Sequence, residues 1–292
     1  METGVSQRLV SAACVRAVVE HVPLRDPETA NLAADPEITD ASGDSLPVDD
    51  MQRRFRRIEV PLPLAEYGHA HAVALEECVG DDCGADVEVC RIDVPRTLGR
   101  AVPRRVRSYL AGRHCAARAI SALLPDFPNR REALATGAHG SPVWPPAVVG
   151  SITHSARLAA AVVAPIDRWR GLGVDCERVM TAEVADEIVS RIIPEMEAIR
   201  RTGVPPDTMP WPLFVTAIFS AKESVYKCLS PITGTFFDFD AVELENIDAG
   251  AGTVLMRLVQ TLSPEVSAGM LLHVRFSVDQ EHVFTAVGLP AA

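Results

Sequence analysis

No stretch of this sequence is apolar for long enough to span a bilayer. The most apolar early segment, Leu9 to Val22, is interrupted by Arg16, Glu20 and His21. It reads as a short amphipathic helix rather than a secretory signal. An excess of basic charge is also missing: the net charge is −11, which argues against general nucleic-acid binding. There is no P-loop, and Gly171-Leu172-Gly173 lacks the third glycine and the following helix of a dinucleotide fingerprint. Ser151 lies near His154, but no glycine-flanked nucleophile turn surrounds it. The seven cysteines are an odd number in a chain long enough to need no staples, so a reduced, cytoplasmic setting is the default expectation. Cys78, Cys83 and Cys90 lie close together near His69 and His71, yet not at the spacing of a paired zinc knuckle. Buried or incidental thiols are the expectation there.

What is present begins with length. The 292 residues hold one large domain or two modest ones, with a sizeable core. Acidic residues and prolines load the first fifty positions, so residues 1–57 read as a flexible acidic leader. Arginines gather afterwards, at Arg53, Arg54, Arg56 and Arg57, and again at Arg100, Arg104, Arg105, Arg107 and Arg113. A local basic surface on an acidic protein follows. Ile58–Leu62 reads as an edge strand because of its prolines, His71–Leu75 as a second strand, and Asp81-Asp82-Cys83-Gly84 as a turn. Residues 103–124 have helical periodicity, with Val106, Tyr109, Leu110, Ala117, Ile120 and Leu124 on the core face. Strands are expected at 147–152 and 159–164, placing His154 at a strand end, and another at 171–175. Helices are expected at 182–193 and 195–201, then from Trp211, followed by strands near 237–244, 254–262, 270–276 and 282–287. Each half of the ordered region mixes strands with one long helix, which implies two α+β halves with a cleft between them.

Three segments carry the chemistry. In the helix from Trp211, Phe214, Ile218, Ala221, Val225 and Cys228 form the buried stripe. Glu223 and Lys227 then stand one turn apart on an adjacent strip, with Lys222 beside them. Alone, that pair is an ordinary surface ion pair. Asp175 and Glu177 project to one face of an extended strand, where paired acids repel unless solvated or bound to a hard cation. Gly150-Ser151-Ile152-Thr153-His154 ends another strand on a histidine. Three acids, two lysines and a histidine suit a magnesium ion and a pyrophosphate. Arg105 and Arg113, a little over two turns apart, can share one side of their helix, although a solvated basic face has the same spacing.

These segments together resemble the 4'-phosphopantetheinyl transferase superfamily, of the siderophore-synthetase type. The matching features are Arg105-x7-Arg113, Pro142-Val143-Trp144-Pro145, the segment ending in Thr153-His154, Gly173-Val174-Asp175-Cys176-Glu177, and Phe219-Ser220-Ala221-Lys222-Glu223-Ser224-Val225-Tyr226-Lys227. They occur in the family order over about residues 100–230. The resemblance implies a pseudo-symmetric pair of α+β halves, 58–166 and 167–292, with coenzyme A in the cleft. It implies a magnesium-dependent holo-[carrier protein] synthase that moves phosphopantetheine from coenzyme A to a serine of an apo acyl or peptidyl carrier protein. The acceptor would come from fatty-acid, polyketide or nonribosomal-peptide synthesis, the product would be 3',5'-ADP, and the enzyme would be a cytoplasmic monomer. Asp175, Glu177 and Glu223 would hold Mg2+, with the Cys176 carbonyl as a further ligand. Glu223 would take the serine proton, and Lys227, with Lys222 nearby, would neutralise the phosphates. Arg105, Arg113, Thr153 and His154 would grip coenzyme A, Asp175 would also face it, and His139 stands where relatives carry a lysine or arginine. The competing functions are a coenzyme A-binding regulatory protein without transferase activity, a magnesium-dependent phosphodiesterase and a plain interaction domain.

Overall fold

The computed structural model describes residues 53–63, 67–75, 86–125, 134–137, 141–194 and 209–291. The fold is α+β. Strands β1 (Arg54–Arg57), β2 (His69–Ala74), β3 (Val87–Val89), β4 (Val148–His154) and β5 (Leu158–Pro165) form one antiparallel sheet in the order β3-β1-β2-β5-β4. Strands β6 (Trp169–Arg178), β7 (Val242–Asp248), β8 (Thr253–Leu258), β9 (Leu271–Val278) and β10 (His282–Pro290) form the second, in the order β6-β10-β9-β8-β7. Helix α1 (Pro103–Leu123) lies on the first sheet. Helix α3 (Trp211–Thr233) lies on the second, with α2 (Ala182–Ile192) beside it. Among the described residues no helix is long and apolar enough to cross a membrane.

The halves meet where edge strand β4 runs beside edge strand β6. The Val174 amide donates to Ser151 Oγ across this seam at 3.0 Å. Alternation along β6 decides what each half receives. Leu172 and Val174 pack with Tyr67, Val162 and Ala164 of the first half, and Cys176 packs with Leu158. The alternate residues Gly171, Gly173, Asp175 and Glu177 face α3. A Cβ on Gly171 would lie 2.6 Å from the Cys228 carbonyl oxygen, and one on Gly173 would lie 1.8 Å from that of Ser224. The two glycines therefore let α3 lie directly on β6. Four helix residues rise about 6 Å and two strand residues about 6.7 Å, so the elements stay in step. Cys228 meets Gly171, Ser224 meets Gly173, and Ser220 meets Asp175.

Several expected elements lie elsewhere. The first strand is Arg54–Arg57, inside the stretch read as leader, and Ile58–Leu62 is not a strand. Phe55 is fully buried beneath the Arg107 guanidinium, 4.8 Å from its ring centre, which fixes this short strand. Pro61 and Pro63 interrupt any ladder, while Ile58, Val60 and Leu62 pack at the seam. Thr153 and His154 extend β4 by two residues, because the turn begins only at Ser155. On α1, Ala116 and Ala119 face the core and Ala117 is only half-buried. Strand β7 begins at Val242, because Asp238 accepts the Phe239 amide at 2.7 Å and starts a 3-10 turn over Phe239–Ala241. The helix expected at 195–201 and the turn at 81–84 lie outside the described residues, as does nearly all of the leader.

Gly173→Ala tests the close approach of α3. Neither backbone can retreat without moving a whole element, so the expected cost is about 3 kcal/mol, the upper end for overpacking. That corresponds to a Tm drop of roughly 6–12 °C in a circular-dichroism melt. A parent-like Tm would mean that α3 does not lie on β6 at this distance.

Candidate active site

Asp175 is the centre of the site. It is buried, and two elements supply its three side-chain donors. On Oδ1 it accepts from Lys227 Nζ of α3 at 2.6 Å and from Thr153 Oγ1 of β4 at 3.2 Å. On Oδ2 it accepts from Ser220 Oγ of α3 at 2.8 Å. Thr285 Oγ1 of β10 lies 2.9 Å from Ser220 Oγ and 2.7 Å from Ser224 Oγ, and donates to the Ser220 carbonyl at 2.8 Å. A buried carboxylate satisfied in this way is held rigidly. The chain has only two lysines, Lys222 and Lys227, and both are on α3.

Glu177 and Glu223 surround the same ammonium. Burial, the Asp175 carboxylate and Glu223 push the Glu177 carboxyl up to about 8, against the pull of Lys227. Burial also raises Glu223, helped by Asp175 and Asp238 and again opposed by Lys227. Burial alone would lower Lys227, but Asp175, Glu223 and Glu177 outweigh it and raise its pKa. Three carboxylates thus share one cation. They do not bring three ligand atoms within 4.8 Å of one another, and Lys227 takes Oδ1 of Asp175. The Cys176 side chain turns away, toward Leu158 and Phe284, where burial drives its thiol pKa well up. Its carbonyl is placed differently. The Val174 N–H points away from β10 to Ser151, and backbone groups repeat direction every second residue, so the Cys176 carbonyl also points to the free edge.

The remaining candidates divide. His154, the last residue of β4, is exposed at the rim. Partial desolvation there, then the charges of Lys227 and Arg105, lower its imidazole pKa, while Asp175 opposes them. Arg105 is exposed on α1. Arg113 is buried, its guanidinium 5.3 Å from the Tyr109 ring centre and its Nη2 donating to Thr136 Oγ1 at 3.3 Å. The two arginines do not share a solvated face. Lys222 is not with the others: its side chain is buried, and Nζ donates to the Phe239 carbonyl at 2.9 Å. It lies about 100° around the helix from Glu223. Thr153 is buried and directs its hydroxyl to Asp175, so it positions a carboxylate instead of presenting that group to solvent. His139 lies outside the described residues. Sequence reasoning missed Ser220 and Thr285. Ser220 carried a signal, being on α3 within the Lys222–Glu223 segment; Thr285 carried none, because it reaches the site only through β6–β10 pairing.

The 4'-phosphopantetheinyl transferase N-terminal domain model matches residues 94–164, and the 4'-phosphopantetheinyl transferase superfamily model matches residues 171–286. The 4'-phosphopantetheinyl transferase Svp of Streptomyces mobaraensis is 36% identical over 56% of this chain and 63% of its own. Enterobactin synthase component D of Salmonella typhi is 35% identical over 53% of this chain and 59% of its own. The chain thus spans about three fifths of the length of these two relatives. The 4'-phosphopantetheinyl transferase PptT of Mycobacterium tuberculosis is 31% identical over 66% of this chain and 82% of its own. A solved holo-(acyl-carrier-protein) synthase of Bacillus anthracis is similar over 43% of this chain and 99% of its own, with 19% identity and a TM-score of 0.31. With one family model on each half and four fifths of one relative covered, the chain belongs to the 4'-phosphopantetheinyl transferase superfamily.

Proposed function

We propose that the protein transfers phosphopantetheine from coenzyme A to a serine of an apo acyl or peptidyl carrier protein, as a magnesium-dependent monomer in the reducing cytoplasm. The observation that carries this reading is the cluster of Asp175, Glu177 and Glu223 around the lone Lys227 ammonium. One ammonium cannot balance three carboxylates, and a carboxyl pushed to about 8 marks a desolvated excess of negative charge. A hard divalent cation held by oxygen ligands fits that donor set. Asp175, Glu177, Glu223 and the Cys176 carbonyl would hold it. When bound, it would draw the pyrophosphate oxygens into the cleft and neutralise them.

The other steps use the chain's own groups. The serine Oγ bonds to the phosphorus that carries the pantetheine arm. The bond from that phosphorus to the bridging oxygen breaks, and 3',5'-ADP leaves with it. Glu223 takes the serine proton, directly or through one water, and its raised pKa suits a base working near neutral pH. Lys227 neutralises charge on the phosphates, which is most of what phosphoryl transfer requires. Thr153, Ser220 and Thr285 keep Asp175 fixed while this happens. Arg105, Arg113, His154 and His139 hold the nucleotide end, where an arginine fork matches a terminal phosphate. Lys222 acts from behind, tying α3 to the Phe239 turn. Two halves in one chain build the cleft without a second subunit. Four buried free cysteines among the described residues suit a reducing compartment.

The direct test incubates the full chain with coenzyme A, magnesium and a panel of apo carrier proteins from fatty-acid, polyketide and nonribosomal-peptide systems. Intact-mass spectrometry should show the gain of one phosphopantetheine on at least one carrier; release of 3',5'-ADP without carrier loading would replace transfer by hydrolysis. Glu223→Gln should lower kcat about a hundredfold or more with the fold intact. Near-normal turnover at saturating magnesium would remove Glu223 from the mechanism.

Arg113→Ala should raise KM for coenzyme A far more than it lowers kcat, because a grip remote from the breaking bond is similar in ground and transition states. A lost charge-assisted contact is worth roughly 1.5–3 kcal/mol, or about ten- to a hundredfold. The parent should discriminate against dephospho-coenzyme A, and the variant much less. Full retention of the preference would assign Arg113 to packing under Tyr109 alone.

Glu177 makes stability depend on pH. Its folded-state pKa of about 8 lies above its ordinary 4.5, so the folded state binds the proton more tightly. Its contribution is complete below about 4.5 and is lost as pH rises through about 8. In metal-free buffer the parent's Tm should fall over this range more than that of Glu177→Gln, and magnesium should reverse the excess fall. Parallel Tm curves would show that Glu177 is not held in a desolvated cluster.

A further inference from the structure

A second set of metal-ligating groups lies in the other half. His71 of β2, Glu88 of β3 and His114 of α1 come from three separate elements and converge on one point. His71 Nε2 lies 2.8 Å from Glu88 Oε2, and His114 Nε2 lies 2.7 Å from the same oxygen. The side chains are 8%, 16% and 9% exposed for His71, Glu88 and His114, so all three are largely desolvated. Among the described residues this is the one set of three such ligand atoms all within 4.8 Å of one another. Arg118, half exposed, holds the other Glu88 oxygen, Oε1, at 3.1 Å.

The surroundings make the trio conspicuous. His71 shares its face of β2 with Val73 and Leu75, and Glu88 stands opposite Phe55 in the β1–β3 ladder. That face packs against α1 through Phe55, Val73, Leu75, Leu110 and Cys115. Three ionisable groups thus interrupt an apolar layer in which aliphatic side chains would serve for packing alone. The nearby thiols are engaged elsewhere: Cys90 Sγ donates to the Leu110 carbonyl and Cys115 Sγ to the Ala159 carbonyl.

We propose that His71, Glu88 and His114 form a binding site for a divalent transition ion of the zinc class. Two imidazole nitrogens and one carboxylate oxygen are a donor set such ions accept, with a water or a further donor completing four-coordination. In the ion-free arrangement a carboxylate can only accept, so both Nε2 atoms carry hydrogen. Binding moves each proton to Nδ1 and frees two lone pairs, with no net proton release from the rings. Four-coordinate zinc with bonds of about 2.0–2.1 Å holds its ligand atoms roughly 3.3 Å apart. Each nitrogen therefore has to part from Oε2 by about half an ångström, within the reach of small side-chain rotations. Burial lowers both imidazoles despite the pull of Glu88, which keeps them in the neutral form a metal takes. Arg118 orients the carboxylate from outside, as groups behind metal ligands do. The ion would clamp α1 to β2 and β3.

The test uses untagged full-length protein stripped with a chelator and carrying Glu177→Gln, which weakens the acidic cluster as a competing site. Titration with Co2+ should show one equivalent with the visible spectrum of a four-coordinate nitrogen and oxygen site, and Zn2+ should displace it. Adding His71→Gln or His114→Gln should weaken binding by about a hundredfold or more, since even groups behind metal ligands are worth ten- to a hundredfold. If either variant fails to fold, Glu88→Gln keeps the shape and removes the anionic ligand; at least about tenfold weaker binding with a native circular-dichroism spectrum is expected. No saturable binding by the parent, or unchanged affinity in the folded variants, would overturn the proposal and leave a purely hydrogen-bonded trio. Because the readout is metal binding, it is independent of whether transfer occurs.

Discussion

The close contact of α3 with β6 is the constraint on which the site depends. Gly171 and Gly173 leave no Cβ between strand and helix, so helix residues spaced by four fall against strand residues spaced by two. The next position in that series is Asp175, and it is met by Ser220. Lys227 and Glu223 follow from the same register, because they lie beside the Ser220–Ser224–Cys228 row on the helix surface. With a larger residue at either glycine the helix would stand off, and Asp175 would lose two of its three side-chain donors together. Backbone packing and the polarity of the site are therefore one problem. The glycines solve the first part, and the hydroxyl chain through Ser220, Thr285 and Ser224 solves the second.

Charge then explains why this centre is useful. A buried carboxylate with three donors is stable, but Glu177 and Glu223 are not matched in the same way. Their protons are held more tightly than usual because the ionised forms repel one another in a poorly solvated cleft. The arrangement resists full ionisation. Lys227 occupies one oxygen of Asp175 meanwhile, and its long, flexible stem is the part that can move aside. In the proposed function, a charge-frustrated cluster of this kind would couple cation binding to phosphate binding, since each would relieve a different part of the imbalance.

Legibility from sequence followed the range of the interaction. The buried stripe of α3, from Phe214 to Cys228, came from helical spacing, and the shared face of Asp175 and Glu177 from strand alternation. Both are local periodicities, and tertiary packing reinforces them. Lys222 was misjudged because being next to Glu223 in sequence means being a quarter-turn away on a helix, and the buried direction happened to offer the Phe239 carbonyl. The bond from Thr153 to Asp175 was not legible, because that strand end faces Asp175 across the seam, a relation that no spacing encodes. Phe55 escaped because its strand is four residues long and borders an acidic, proline-rich stretch, so composition outweighed a single core residue. The family motifs compensated for much of this, since they carry long-range pairings in their order along the chain.

Helix α1 links the two polar centres of the molecule. Arg113 and His114 are neighbours, and the 100° step of the helix sends them to different surroundings. Arg113 packs under Tyr109 and reaches Thr136, on the side where the nucleotide end is proposed to lie. His114 reaches Glu88 and His71 on the sheet. A rotation of α1 that improved one contact would spoil the other, so the sheet-side trio limits how far Arg113 can swing. The first sheet also supplies Thr153 and His154 from its opposite edge strand. Its rigidity therefore bears on the Asp175 centre as well as on the nucleotide side. The second half carries the carboxylates and the ammonium, while in the proposed reaction the first half would set where they meet coenzyme A. Tightening the packing of α1 on its sheet should thus act mainly on binding, and loosening α3 on β6 mainly on chemistry.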